Sequence, residues 1–348
     1  MFVLPLIVFS FILRALVNLE RGSLTLLLLI FLGVTISNCL ALTTAYLFGK
    51  ATLSFVGLCL SPDFAAKFSS SVSVLFSFNF PQIVATEQAL LGGVVCGLAL
   101  NILNQKNQFR KTMKDSSIWL SDKISLFLSK IFIPLLPIYV FGFCLKLSYD
   151  DALIHLFHQY GKVFLLSMSL VVIYMFSLYL ISSMGNVSKA LSSLKTMLPA
   201  GLTGFSTMSS AATMPVTLKC TEINTQDKNF TDLVIPSTAN IHMLGDDLTI
   251  IMIAMTLLSI FGMPWPDFVA FIPFALAFSV AKLSCVGIPG ASVLVILPVL
   301  QNYLGFTPEM LSILTTIYVL QDPFGTAANV IGNGAFALII RKVFKKLS

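Results

Sequence analysis

Residues 199–216 read PAGLTGFSTMSSAATMPV. The stretch is apolar, yet it holds too much Gly, Pro and small polar side chain for a plain membrane-spanning helix. A second stretch of this kind, GIPGAS at Gly287–Ser292, divides the apolar run from Phe268 to Tyr303. That run suits two short helices meeting at a tip better than one long helix. Two further apolar runs are interrupted by polar residues. Leu233–Phe261 contains His242, Gly245, Asp246 and Asp247, and Leu311–Ile340 contains Asp322, Pro323, Asn329 and Asn333. The second half of the chain therefore alternates a broken hairpin with an interrupted span, twice, as a weak internal repeat. Paired interruptions of this sort point to the binding site of a transporter. Irregular backbone at membrane depth persists only where protein buries it or where it lines a cavity, so neither hairpin is expected to face lipid.

Composition agrees. Of 348 residues, 57% are hydrophobic and 10% charged, against about 25% charged in soluble domains. Mean hydropathy is +0.93. Soluble enzymes, nucleic-acid binders and disordered chains are excluded. The long unbroken apolar runs argue against the dyad alternation of an outer-membrane barrel. The expected fold class is an all-α polytopic membrane protein. The net charge of +6 comes largely from clusters: Lys106, Arg110, Lys111 and Lys114, then Arg341, Lys342, Lys345 and Lys346. Such clusters beside apolar spans mark cytoplasmic faces and imply no nucleic-acid partner. The six cysteines are scattered without metal-ligand spacing and read as small buried hydrophobes. Asp150, Asp151, His155 and His158 read as a wet helix end rather than a metal site. No nucleophile elbow, phosphate loop or HExxH motif is present, so no enzyme is expected and no cofactor beyond a coupling ion.

The remaining spans are Phe2 to about Asn18, Leu24–Phe48, about Ile83–Leu103, Ile118–Leu147 and Ala152–Ser183. Residues 51–80 are ambiguous, residues 104–117 read as a polar loop, and residues 184–198 are polar and helical in pattern. Placing the basic C-terminus in the cytoplasm and treating both hairpins as re-entrant puts 104–117 inside as well. Asp150, Asp151, His155 and His158 then fall outside. The N-terminus also falls outside without a signal sequence, which suggests that a first helix precedes this chain.

Four motifs resemble one family, the dicarboxylate/amino acid:cation symporters that include the glutamate-transporter homologues. STMSSAATMPVT (206–217) is similar to a Ser-rich hairpin tip followed by T-x-P-V-T. TANIHMLGDDL (238–248) resembles an unwound N-M-D-G-T region. VGIPGAS (286–292) looks like the second hairpin tip, and DPFGTAANVIGNG (322–334) resembles D-x-x-R-T-x-x-N-V-x-G-D. The resemblance covers nearly the whole chain and begins at what looks like the family's second helix. It implies about seven spans, two re-entrant helical hairpins, a homotrimer in the inner membrane, and elevator-type transport of a small-molecule substrate. It also implies scaffold segments (1–22 and 75–147) and transport segments. The latter are 23–50, 152–198, a first hairpin at 199–220, an interrupted helix at 230–263, a second hairpin at 268–304, and a last helix with basic tail at 310–348.

Carried onto this sequence, the resemblance implies a substrate site of Ser209, Ser210, Gly287, Pro289, Gly290, Asp322, Thr326 and Asn329. Asp322 would lie near a substrate amino group, and the hairpin serines with freed amides would hold an α-carboxylate. Cation binding, or its substitute, falls to Thr238, Asn240, His242, Asp246, Lys282, Asn329 and Asn333. The departures are chemical. The family's Arg on the last helix is Gly325, which removes the bidentate partner of a second substrate carboxylate. Two cation carboxylates are replaced, by Leu244 and Asn333. Lys282 stands where a sodium would be held, and either reaches the surface or places an ammonium there as a stand-in cation. Asp246 or Asp247 would restore a carboxylate from a shifted position, or form a solvated pair. His242 is packed or lines the cavity, with a proton role as the alternative. The coupling ion stays open between Na+, H+ and none. A sodium-independent exchanger, a passive channel and a non-transporting relative are the competing readings.

Overall fold

The computed structural model describes residues 24–56, 86–102, 108–127, 153–285 and 290–347, with isolated positions between 6 and 13 and between 130 and 145. Among the described residues every regular element is helical. They are α1 (Leu24–Thr52, followed by a short 3-10 turn), α2 (Thr86–Ile102), α3 (Gln108–Phe127), α4 (Leu153–Ser182), α5 (Val187–Thr207), α6 (Ser210–Thr225), α7 (Lys228–Thr238), α8 (Leu244–Ile260), α9 (Phe268–Lys282), α10 (Ala291–Leu304) and α11 (Pro308–Leu347). Among the described residues, three stretches are long and apolar enough to cross a bilayer: Leu29–Thr52, Tyr160–Ser182 and Pro308–Phe344. The 40 residues of α11 reach about 60 Å at 1.5 Å per residue.

Helix α8 is the centre. All its residues from Leu244 to Leu258 are buried, as expected for a helix that is apolar all round apart from its first turn. α1, α4 and α11 pack around it, and α11 also packs against α5 and α6. The outward residues of α1 (Leu32, Ile36, Leu40, Leu47) and of α4 (Leu165, Val172, Ile173, Ile181) are exposed and apolar, so these faces require lipid or another protein surface. α2 packs on α3, and Leu13 and Leu100 form a small cluster there with Phe9 and Met113.

The helices begin where the sequence supplies caps. Asn186 accepts from Lys189 N at 3.0 Å, Asp227 from Phe230 N at 3.1 Å and Asp267 from Ala270 N at 2.7 Å. These oxygens satisfy amides that the first helical turn leaves unpaired. α5 and α6 form a first hairpin whose tip is Met208–Ser209. Its first arm starts at Val187 and its second ends at Thr225, so the expected bounds of 199 and 220 are corrected on both sides. Residues 187–198, within the stretch read as polar and helical in pattern, are the first turns of that arm. Pro199 removes one backbone donor without ending α5. The expected polar loop 104–117 is also revised, because its residues from Gln108 onward lie in α3. α9 and α10 form the second hairpin, joined through 283–290. Of the residues expected at its tip, Gly287 and Pro289 lie outside the described residues, as do most of the expected first span and residues 57–85.

The long helix expected over 230–263 is broken, as its polar residues suggested. α7 ends at Thr238, and both Ile241 N and His242 N turn back onto Thr238 O at 3.0 and 2.9 Å. α1 steadies the break from the side, with Asn38 Nδ2 donating to Ile241 O at 2.9 Å.

Candidate functional site

Breaking α7 from α8 creates a helix start in the middle of the molecule, and Asp246 and Asp247 occupy its first turn. A carboxylate there is favoured by the unpaired amides and the helix dipole. Asn329 of α11 binds the same turn. Its Oδ1 accepts from Gly245 N at 2.8 Å and Asp246 N at 3.3 Å, while its Nδ2 donates to Asp246 Oδ1 at 3.0 Å. The other Asp246 oxygen, Oδ2, accepts from Ser292 at 2.8 Å, Tyr318 at 3.1 Å and Lys282 Nζ at 3.3 Å. Ser292 and Tyr318 also hydrogen-bond each other. One carboxylate thus ties α8 to α9, α10 and α11.

Asp322 of α11 performs a similar task. Its Oδ2 accepts from Gly290 N at 2.8 Å, at the start of α10. Its Oδ1 accepts from Thr326 at 3.2 Å and lies 3.3 Å from the Tyr318 hydroxyl, whose one hydrogen it shares with Asp246. Gly290 carries φ +70°, a left-handed conformation that glycine adopts at no steric cost. The tip of the second hairpin is therefore latched to the last helix through backbone. Tyr318, Asp322, Thr326, Asn329 and Asn333 recur at helical spacing along one face of α11.

Close backbone approach permits this. A Cβ at Gly245 would collide with the Gly325 carbonyl, and a Cβ at Gly325 would lie 2.8 Å from Asp246 Oδ1. Asp246 fills the space beside the position where the related motif carries arginine.

Lys282 does not reach the surface. Its side chain is 0% exposed, and its ammonium lies 3.3 Å from Asp246 Oδ2 and 3.6 Å from Asp247 Oδ1, two carboxylates that are themselves 1% and 0% exposed. Of the two expected alternatives, the buried ammonium is the observed one. Asp247 has no hydrogen-bond partner among the described residues. The pair is buried, which corrects the reading of Asp246 and Asp247 as solvated.

His242 is packed. Nε2 lies 2.9 Å from Ser37 Oγ, Nδ1 lies 3.0 Å from Asn333 Oδ1, and the ring lies against Phe336. With Asn333 accepting, Nδ1 carries the hydrogen and Nε2 accepts from Ser37. Thr238 turns its hydroxyl onto its own helix, at Val234 O, and half-buried Asn240 lies in the α7–α8 break. Ser209 caps α6 by accepting from Ala212 N at 3.2 Å, and Ser210 is buried beside it. The structure thus brings together Asp246, Lys282, Gly290, Asp322, Thr326 and Asn329, with His242 and Asn333 as a second pair. The serines stand apart in sequence and element, at the first tip. Ser37, Asn38 and Tyr318 were missed, and Ser292 was read only as the end of the second hairpin tip. Ser37 and Asn38 are an adjacent polar pair inside an apolar run, and Tyr318 precedes Asp322 by one helical turn. Both signals are visible in the sequence.

Residues 1–343 match the family model described as the sodium:dicarboxylate symporter family. The chain belongs to that family. That description is of transporters, not enzymes, and with its apolar helices this member is a multi-pass membrane protein. It is similar to excitatory amino acid transporter 3 of Mus musculus, at 30% identity over 151 residues, 43% of this chain and 28% of the relative. The Homo sapiens protein of that name matches equally. Excitatory amino acid transporter 2 of Rattus norvegicus is 31% identical over 147 residues, 42% of this chain and 25% of the relative. Each match spans less than a third of the relative's length.

Proposed function

We propose that this chain is a cation-coupled symporter of an amino acid, working by elevator-type alternating access. The observation that carries the reading is the convergence of a hairpin tip, a broken helix and a polar helix face on two buried carboxylates, Asp246 and Asp322. Intramembrane carboxylates at a helix break belong to substrate and ion pathways. Asp322 receives the substrate ammonium, aided by Thr326 and Asn329, and the first-hairpin serines Ser209 and Ser210 receive its carboxylate. Residues Gly287–Ser292 gate the site. Of the two substrate classes, amino acid and small organic anion, the amino acid fits better. Asp246, Asp247 and Asp322 outnumber Lys282, the one cationic side chain buried with them among the described residues, and Gly325 stands where the related motif carries arginine. A dicarboxylate would meet net negative charge there.

The architecture proposed with this function has about seven spans and the α5–α6 and α9–α10 hairpins re-entering the membrane. α2 and α3 belong to a scaffold, and α1 with α4–α11 to a moving part. The assembly is a homotrimer in the inner membrane with a cytoplasmic C-terminus. Uptake of a labelled amino-acid panel into proteoliposomes tests the function, under inward Na+, inward H+ and no gradient. Concentrative uptake under one cation gradient, lost in Asp322→Asn, is the expected result. Equilibration without concentration under every gradient would favour the exchanger or channel, a reading supported by the missing carboxylates at Leu244 and Asn333.

A further inference from the structure

We propose that the Lys282 ammonium is a built-in cation. It occupies the position between Asp246 and Asp247 that a metal cation would otherwise fill, and sodium is not bound there. The inference rests on reading this cluster as the cation region of a transporter. Its test reads cation binding and not transport, so either can fail alone.

Charge is the first argument. A buried carboxylate without a counter-charge is costly by several kcal/mol, on the order of magnitude known for unpaired buried ions. Asp246 accepts hydrogen bonds from Asn329, Ser292, Tyr318 and Lys282. Asp247 has none from the described residues, and its carboxylate faces the ammonium at 3.6 Å. Lys282 is thus the cation shared by both, and the Phe278 ring, 5.6 Å from Nζ, faces it as well.

Ligand supply is the second argument. A hard cation needs several oxygens at about 2.3–2.6 Å, taking the calcium range as a guide. The last carbonyls of α9 already accept from the turn that follows the helix. Leu283 N donates to Val280 O, Ser284 N to Ala281 O and Cys285 N to Lys282 O. The arm therefore contributes an ammonium to the carboxylates in place of carbonyls for a metal.

The consequence concerns coupling. A diffusing cation links hairpin closure to an external gradient, because the cation must arrive first. An ammonium covalently attached to α9 arrives with the hairpin. Closure of the second hairpin against α8 then needs no sodium at this position.

The test uses the full chain in detergent and follows the melting midpoint as choline chloride is replaced by sodium chloride at constant ionic strength. The unmutated chain is expected to show no saturable sodium shift that depends on Asp247. Lys282→Ser removes the ammonium and leaves two carboxylates around a small hydroxyl. It is expected to melt lower in choline and to regain roughly 2–4 °C in saturating sodium, by mass action on the folded state. Adding Asp247→Asn should abolish that gain. A folded Lys282→Ser that ignores sodium overturns the proposal. So does a saturable sodium shift in the unmutated chain that Asp247→Asn removes. Where Lys282→Ser does not fold, the sodium titration of the unmutated chain and of Asp247→Asn decides alone.

Discussion

Gly325 and Asp246 share one space, and the chemistry of the site turns on that pair. Asp246 Oδ1 lies 2.8 Å from where a residue-325 Cβ would stand. A side chain at 325 must therefore displace the carboxylate. Gly325→Arg is expected to destabilise the protein by about 1–3 kcal/mol, the usual cost of overpacking. It should not confer dicarboxylate binding, since its guanidinium would meet Asp246 before any ligand. The related motif carries threonine where Asp246 stands, so Gly325→Arg with Asp246→Thr should bind a dicarboxylate that the single variant does not. Thermal shift with succinate, read as a double-mutant cycle, measures the coupling. Equal shifts in the single and double variants would refute the shared-space account. Asn329 offers a second case. It holds two amides of α8 and one oxygen of Asp246, and Asn329→Ala should cost about 2–4 kcal/mol, as three bonds near 1 kcal/mol each are lost with buried donors left unpaired. A loss below about 1 kcal/mol in denaturant or thermal unfolding would show that water replaces the amide.

Much of this residue chemistry was legible because it follows helical spacing. Asp322, Thr326, Asn329 and Asn333 fall on one face by arithmetic alone, and the structure keeps them there. The destination of Lys282 was not legible. A lysine near a helix end reaches the surface or stays buried according to what lies above it, which depends on the packing of α8 and α11, far away in sequence. The solvated reading of Asp246 and Asp247 failed for the same reason. Their burial depends on Gly245 and Gly325 letting two helices touch, and a glycine in a sequence does not reveal which backbone approaches it.

At the scale of elements, the stretch 199–216 reads as a broken hairpin, and it breaks once, at Met208–Ser209. Gly201 and Gly204 are helical, and a Cβ at Gly201 would lie 2.7 Å from Ile331 Cδ1 of α11. These glycines serve close packing of α5 on α11, not chain reversal. The reversal is made by Met208 at φ +51° and by the Ser209 cap. Two expectations separate the roles. Gly201→Ala should destabilise by about 1–3 kcal/mol through overpacking. Met208→Gly should stabilise by roughly 0.5–1 kcal/mol, since a left-handed non-glycine costs about 1–2 kcal/mol and glycine returns part of that as entropy. Melting midpoints of the two variants check both signs. If Gly201→Ala is neutral, α5 is not tightly packed on α11 as described. The broken α7–α8 helix, by contrast, was readable from sequence, because two adjacent aspartates beside a glycine and a histidine do not sit inside a lipid-facing helix.

At the scale of the molecule, the second hairpin is held by two latches on different helices. The Gly290 amide binds Asp322 of α11, and Lys282 with Ser292 binds Asp246 of α8. The first hairpin is held mainly by packing of small residues against α11. If the second hairpin is the moving gate, its tip must open at a free energy well below that of global unfolding, and its latches set that free energy. Asp322→Ala removes the acceptor for Gly290 and Thr326 and leaves Tyr318 to Asp246 and Ser292. Hydrogen exchange over 283–292 should then quicken at least tenfold, which corresponds to about 1.4 kcal/mol of lost local stability, while exchange over 205–213 stays within a factor of two or so. Acceleration of both tips together would mean that Asp322 supports the whole site and does not latch one hairpin. Acceleration confined to the second tip would identify the α9–α10 hairpin as the element that opens, with Asp322 as the residue a bound ammonium would take over from the Gly290 amide.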